Sequence, residues 1–214
     1  MIVDVASYVA GRRQDCADRR DLEGVLRSCR PDAESADPGG FVWLGLKDPT
    51  AEEFDRVSGE LGLHPLAVED AVQGRQRPKV ERYGDTLFVV VKLLAYDEAE
   101  SAVETGEAMV FVGERFVVTV RRGEVGSLAP VRHALEGDPQ RLRGGPRAVL
   151  HAVLEAVVDE YVRIDAALEQ DVAEVEEQVF SPARSGDAVD IYSLKREVLE
   201  VRRAAVPLAS ALRE

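Results

Sequence analysis

An adjacent pair of acidic residues, Glu69 and Asp70, lies in the stretch whose residue types are best suited to chemistry. A basic segment with Arg75, Arg77 and Lys79 follows directly. Neighbouring residues on a helix point about 100° apart, so the two carboxylates are not expected to chelate one ion together. Spacing alone favours salt bridges from the pair to Arg75 and Arg77. The alternative is that each carboxylate reaches a different partner at a boundary between subunits.

A second acidic feature lies between residues 146 and 180, where nine acidic residues stand against two basic ones, a net charge of −7. Most of these side chains are expected to form a solvated helix face. The excess is barely paired within the segment, however, and like charges one helical turn apart repel. Divalent cations or a basic element elsewhere in the protein would relieve that repulsion. The acidic residues are Glu155, Asp159, Glu160, Asp165, Glu169, Asp171, Glu174, Glu176 and Glu177.

Signatures of the common enzyme classes are missing from the sequence. There is no phosphate-binding glycine loop, zinc-type cysteine set or nucleophile elbow. The three histidines, His64, His133 and His151, stand apart; we expect His64 to cap a helix and His151 to pack rather than bind a metal. A metal-assisted hydrolase would have to use Glu69, Asp70 and Glu155 without any histidine partner, so we expect no enzyme activity.

Composition narrows the class of protein further. The 214 residues are 45% hydrophobic, enough for a sizeable core, and carry a formal net charge of −13. That charge argues against nucleic acid or anionic lipid as a partner and favours cations. Two cysteines, Cys16 and Cys29, do not make a disulfide framework and indicate a reducing compartment. No apolar run approaches the ~20 residues needed to span a bilayer, and no export signal is visible, so we expect this chain to be soluble.

Residues 1–145 alternate between strand and helix signals, which predicts an α/β unit with a mixed sheet covered by helices. The clearest strand signal, at residues 86–96, is rich in β-branched and apolar residues and is expected to lie centrally in the sheet. Thr50 and Glu53 form a capping box, and Pro65 opens another short helix that ends before Gly74. The other predicted elements are strands at 1–8 and 41–46, a hairpin of 108–112 with 115–120, helices at 18–29 and 128–135, and a loop at 31–40.

The remainder of the chain predicts two long helices. Apolar residues recur every three or four positions across 146–180, typical of one long acidic helix, and residues 187–214 follow a strict heptad from Ile191 to Leu212. Pro207 is expected to kink or bend the second helix. Because that helix reaches Glu214 without a capping signal, we expect the chain to be the N-terminal piece of a longer protein. A free-standing interaction protein that dimerises through the heptad is the alternative.

The segment HPLAVED, followed by QRPKVERYGDTLFVVVKLL, strongly resembles the signature of the CorA family of magnesium and cobalt transporters. The resemblance extends in outline over nearly the whole chain, from VWLGLKDP through EAMVFVGERFVVTVR to LKREVLEVRRAAVPLASAL. It implies an α/β/α sandwich, then long acidic helices and the start of a stalk helix. It also implies a homopentamer in the full protein, with two transmembrane helices beyond Glu214. The related zinc-transporting branch shares the fold and is the alternative family.

The resemblance also implies metal-binding residues. Asp70 matches a regulatory site shared with a stalk residue of the next subunit, which would lie past Glu214. Glu69 matches a second site whose partner position is Glu155, where the family pattern has aspartate. The implied ligand is weakly bound regulatory Mg²⁺, with Co²⁺ or Zn²⁺ as alternatives. The implied role is a cytoplasmic sensor for a channel in the inner membrane; the net charge, as above, argues against a nucleic-acid partner.

Overall fold

The computed structural model describes residues 1–14, 24–25, 40–180 and 188–213. In chain order its elements are β1 (Ile2–Val9), β2 (Arg12–Gln14), β3 (Phe41–Lys47), α1 (Ala51–Leu61), α2 (Pro65–Gln73), β4 (Lys79–Tyr83), β5 (Thr86–Asp97), β6 (Ala102–Val112), β7 (Phe116–Arg122), α3 (Ala129–Glu136), α4 (Pro139–Leu142), α5 (Pro146–Phe180) and α6 (Ala188–Ala211).

Seven strands form one mixed sheet in the order β2-β1-β3-β7-β6-β5-β4. β3 and β7 pair in parallel, and every other neighbouring pair is antiparallel. β7 is therefore the middle strand. The prediction that residues 86–96 form the central strand was wrong: β5 lies one place from the edge. It is rich in apolar residues because helices cover both of its faces.

Helices cover both faces of the sheet, which confirms the predicted α/β/α sandwich. Phe88 and Val90 of β5 join the core under α1 and α2, whereas Val89 and Val91 join the core under α3 to α6. This alternation is the period-two pattern of a strand buried on both sides. Both cores contain residues with almost no solvent exposure, among them Trp43 on one side and Phe54 on the other.

The capping box of Thr50 and Glu53, predicted from the sequence, sets the start of α1. The Glu53 N–H donates to Thr50 Oγ1 at 3.2 Å, and the Thr50 N–H donates to Glu53 Oε2 at 3.1 Å. This reciprocal box satisfies two of the free donors at the start of the helix. The helix ends at Gly62, whose φ of +64° is a left-handed conformation that glycine adopts without strain.

Several elements differ from the sequence-based expectation. β2, β4 and the four-residue α4 were not predicted, and β6 begins at Ala102 instead of Ala108. The sequence does not predict β4 because its residues do not alternate clearly between apolar and polar. In the structure most of them are only partly buried. Of the predicted helix at 18–29, only residues 24–25, which are helical, are described. The rest of that helix and residues 31–39 of the loop predicted at 31–40 lie outside the described residues, as do residues 181–187 before α6.

The two long helices form as predicted, but only part of each packs on the sheet. Buried residues of α5 extend as far as Leu168, and the helix then continues to Phe180 without another buried residue. The residues of the predicted heptad in α6 differ in burial. Some of them, including Leu208, pack on the core, whereas Ile191, Val198 and Leu212 are exposed. Pro207 lies inside α6, which continues to Ala211. The division into 1–145, 146–180 and 187–214 stays a prediction.

Candidate metal-binding surface

Two of the predicted site residues, Glu69 and Asp70, lie on α2. The imidazole Nδ1 of His64 accepts the Leu66 N–H at 3.3 Å, so His64 caps the helix as expected. The same ring stacks on Tyr83 of β4, with centroids 4.3 Å apart. Capping and stacking together attach the start of α2 to the edge strand of the sheet.

Asp70 is the first member of a series of ion pairs and hydrogen bonds that connects α2 to β4. Its Oδ2 is 2.6 Å from the Lys79 Nζ, and the same ammonium is 2.7 Å from Glu81 Oε2. The Tyr83 hydroxyl donates to Glu81 Oε2 at 2.9 Å and is the last member of this series. The predicted partners of the acidic pair, Arg75 and Arg77, were therefore wrong. The true partner, Lys79, is brought to Asp70 by the unpredicted strand β4.

Charge pairing between Lys79 and its two carboxylate partners changes the pKa of Lys79 and of Glu81. Burial alone lowers the pKa of the Lys79 ammonium, but the hydrogen bonds to Asp70 and Glu81 outweigh burial and raise it above its ordinary value. Burial raises the pKa of Glu81, yet hydrogen bonds from Lys79 and Tyr83 reverse that effect, and the net shift is downward. Lys79 is thus held protonated and Glu81 ionised at neutral pH.

Glu69 lies next to Asp70 in sequence but faces a different environment. Its side chain is exposed, and Oε1 accepts from the Gln73 amide one turn later at 2.8 Å. Because consecutive helical side chains diverge by about 100°, the carboxylates of Glu69 and Asp70 have separate partners, as expected. Glu69 is the more accessible of the two to a ligand from solvent or from another chain.

Glu155, the third predicted site residue, lies on α5 and therefore on the opposite layer of the sandwich from α2. It is exposed and forms a close ion pair with Arg141. This hydrogen bond and the charge of Arg141 hold the pKa of Glu155 below its usual value. His151 is also exposed, with Nδ1 3.1 Å from the Arg141 guanidinium, so the expectation that it packs in the core was wrong.

The structure thus keeps Glu155 apart from Glu69 and Asp70 within one chain. Among residues 1–14, 24–25, 40–180 and 188–213, no group of three or more histidine, cysteine or acidic side chains could hold a metal ion. A hydrolase that uses these three carboxylates in one cavity is incompatible with their placement. Any metal site that combines them needs ligands from more than one chain.

A buried carboxylate that the sequence analysis missed anchors the loop after α2. Glu107 of β6 is 7% exposed, forms a close ion pair with Lys92, and accepts the Arg75 N–H at 2.7 Å. Arg122 donates to the Ala71 carbonyl in the last turn of α2 at 2.6 Å and so fixes the helix end from which the loop begins. The available signal was an acidic residue directly before the predicted apolar strand at 108–112, a position where burial requires a partner.

Gly74 makes this close anchoring possible. Its φ of +65° and ψ of −164° belong to a region that is essentially restricted to glycine. A Cβ at this position would lie 2.8 Å from Arg122 Cδ. The turn therefore brings the basic loop onto the sheet directly behind the helix that carries Asp70.

The outer part of α5 presents the acidic surface predicted from the sequence. Glu169, Glu174, Glu176 and Glu177 are exposed, while Asp171 accepts a close hydrogen bond from the Tyr96 hydroxyl. About twelve residues beyond Leu168 extend this helix past its last buried position, roughly 18 Å at 1.5 Å per residue. None of the helices in the described part of the chain is both long and apolar enough to cross a membrane.

The chain is similar to a family of metal ion transporters and to individual members of it. The model of the family described as "CorA-like Mg2+ transporter protein" matches residues 38–214. The putative metal ion transporter YfjQ of Bacillus subtilis is 30% identical over 172 residues, covering 80% of this chain and 53% of that protein. The cobalt/magnesium transport protein CorA of Thermotoga maritima is 26% identical over 195 residues, covering 90% of this chain and 53% of that protein. The chain spans about half the length of these relatives.

The fold agrees with a solved structure. The soluble domain of CorA from Methanocaldococcus jannaschii superposes with a TM-score of 0.69 at 15% identity, covering 99% of this chain and 79% of that one. At that identity the likeness establishes the fold alone. The family model, which spans most of the chain, establishes membership: this chain belongs to the CorA family.

Proposed function

We propose that this chain is the cytoplasmic metal-sensing and gating domain of a CorA-type divalent cation channel, in which carboxylates between subunits bind Mg²⁺ and hold the closed state. Membership of the CorA family and two relatives named as metal ion transporters support this function. In this proposal the full-length protein is a homopentamer in the inner membrane. Magnesium or cobalt passes through a pore that this half-length chain does not supply.

The observation that carries the proposal is the position of Asp70. Its carboxylate is partly exposed at the edge of the sandwich, and among the described residues Lys79 is its ion-pair partner. Mg²⁺ usually keeps several waters and takes one or two protein carboxylates, so it does not need a closed cage. A single carboxylate on each of two chains, with waters between them, is a sufficient site.

Glu69 and Glu155 fit the same scheme. Both are exposed, and they lie on opposite layers of the chain. When copies are arranged side by side, the α2 layer of one can face the α5 layer of the next. A site shared by Glu69 of one copy and Glu155 of its neighbour then requires no rearrangement of the fold.

Charge supplies the physical reason for a metal-dependent ring. Each chain has a formal net charge of −13, so copies repel one another strongly at low ionic strength. Cations bound between subunits offset that repulsion and favour the closed arrangement. When the internal Mg²⁺ concentration falls, the ions leave and the interfaces loosen. Because the ions bind one state better, their loss shifts the equilibrium by linkage.

A Mg²⁺ titration of this chain tests the proposal, with thermal unfolding and sedimentation velocity as readouts. For a Kd of about 1 mM, roughly 10 mM Mg²⁺ stabilises the folded state by about 1.4 kcal/mol. For a chain of this size that corresponds to an increase in Tm of about 3–6 °C. We expect this increase together with Mg²⁺-dependent association, and Asp70→Asn should diminish both.

Asp85→Asn is the matched control, because it removes the same charge from an exposed residue in the turn between β4 and β5. It should respond to Mg²⁺ like the parent chain. An equal response in Asp70→Asn and the parent would contradict the role of Asp70. For the full-length protein, flux measurements with competing Mg²⁺, Co²⁺ and Zn²⁺ test the transported ion and separate the magnesium/cobalt function from the zinc alternative.

A further inference from the structure

A basic cavity on this acidic chain lies between the loop after α2, the sheet and α6. Its volume is about 400 Å³, within the usual range for small-molecule sites. Four basic side chains line it: Arg75 and Arg77 from the loop, Lys92 from β5 and Arg203 from α6. The chain as a whole carries −13, so this concentration of positive charge runs against its composition.

Two of these four cations have no counter-ion in the chain as described. Lys92 pairs with Glu107, and Arg203 pairs with Glu200 at 2.6 Å. Neither the Arg75 nor the Arg77 guanidinium has an ion-pair partner among the described residues. Four basic side chains against two carboxylates leave a net charge of +2 at the cavity.

The loop that carries the two unpaired arginines is held in place rather than free. Arg75 has a φ of +59°, an unfavourable conformation for a residue with a side chain. Its N–H is fixed by the buried Glu107 carboxylate at 2.7 Å. Strained backbone that the surrounding structure maintains is typical of binding sites. The backbone at Arg75 is therefore held in one conformation beside the cavity that both arginines line.

The rest of the cavity wall combines an apolar surface with three other polar residues, Gln76, Thr105 and Glu200. Leu94 of β5, Ala204 and Pro207 of α6, and Pro78 of the loop supply the apolar surface. Ala204 is 1% exposed and belongs to the core, so the wall is rigid. A ligand that combines an anionic part with an apolar part would match these two kinds of surface.

From these features we propose that the cavity binds a nucleoside polyphosphate. Two guanidinium groups match phosphate oxygens in charge and in planar, bidentate geometry. The apolar wall accommodates the base. A bound nucleotide would join the loop behind Asp70 to helix α6. This site is independent of the carboxylates proposed for Mg²⁺.

Isothermal titration calorimetry in excess EDTA tests the site without metal, with ATP and inorganic triphosphate as the two probes. We expect the 214-residue chain to bind ATP, and to bind triphosphate more weakly because it lacks the base. Arg75→Gln with Arg77→Gln should weaken ATP binding by about ten-fold or more, since each loses a charge-assisted hydrogen bond.

The matched control is Arg82→Gln with Arg147→Gln, which removes the same charge from two exposed arginines outside the cavity lining. It should bind ATP like the parent chain. Equal weakening in both double variants would overturn the site, because the effect would then be one of overall charge. Absence of ATP binding to the parent chain would also overturn it. Equal affinity for ATP and triphosphate would overturn the assignment of a nucleoside.

Discussion

Replacement of Lys79 tests whether Asp70 is available to a metal. Lys79 Nζ lies 2.6 Å from Asp70 Oδ2 and 2.7 Å from Glu81 Oε2, where it occupies the position that a cation would take. A Mg²⁺ ion that binds Asp70 must displace or share this ammonium. The Lys79 pKa is raised, so a moderate increase in pH does not remove its charge. We therefore expect Lys79→Gln to increase the Mg²⁺ affinity of this chain.

The size of the increase follows from the geometry of the pair. Two unit charges 2.6 Å apart interact by about 1.6 kcal/mol in water and by about 6 kcal/mol at an effective dielectric of 20. The side chains are 28% and 23% exposed, so solvent screening and side-chain entropy offset most of this. Pairs of this type contribute up to about 1 kcal/mol. Loss of this competition should lower the Kd by about five-fold at most.

Calorimetric titration with Mg²⁺ at constant ionic strength measures the effect. Lys79→Arg is the matched control, because it keeps the positive charge and should leave the affinity close to that of the parent. Lys79→Gln combined with Asp70→Asn should lose the gain. Unchanged or weaker Mg²⁺ binding in Lys79→Gln would refute the reasoning, since Asp70 would then be a structural ion-pair partner and not a metal ligand.

Three further predictions concern the stability of the fold and of the loop. Thr50→Ala removes one half of the capping box and should lower the free energy of unfolding by about 1 kcal/mol in urea titration; no loss would contradict the cap. Gly74→Ala places a Cβ 2.8 Å from Arg122 Cδ in a glycine-only conformation, and should cost about 1–3 kcal/mol in the same assay; an unchanged midpoint would show that the loop relaxes. Burial raises the pKa of Tyr8 and Tyr161 above 10.0 in the folded state, so the unfolded state ionises first. Stability that is present below pH 10 should therefore fall above it by about 1.4 kcal/mol per pH unit for each tyrosine, and replacement of both by phenylalanine should flatten that slope.

The layers of the fold were predictable because each depends on a local pattern. Capping at Thr50 and at His64, the hairpin at Gly113 and the long apolar repeat of α5 are encoded in adjacent residues. The order of the strands in the sheet was harder to predict from the sequence. The position of β5 depends on β4, whose five residues carry no clear alternation, and the edge of a sheet is decided by pairing between distant segments.

The candidate site was predictable in its residues but not in their partners. The sequence singles out Asp70 and a basic segment nearby, yet the nearest arginines in sequence are not the ones that pair with it. β4 runs back along the sheet and brings Lys79 to Asp70, whereas Arg75 turns away through Gly74. Glu107 lies 32 residues from Arg75, and only the paired strands bring the two together.

Diffraction from crystals of this chain grown with Co²⁺, with data collected at the cobalt absorption edge, tests the central claim most directly. We predict an anomalous difference peak between two copies, within about 4–5 Å of the Asp70 carboxylate, the distance expected when a water of the ion's shell lies between them. Cobalt peaks found only on other residues, with none at Asp70, would contradict it.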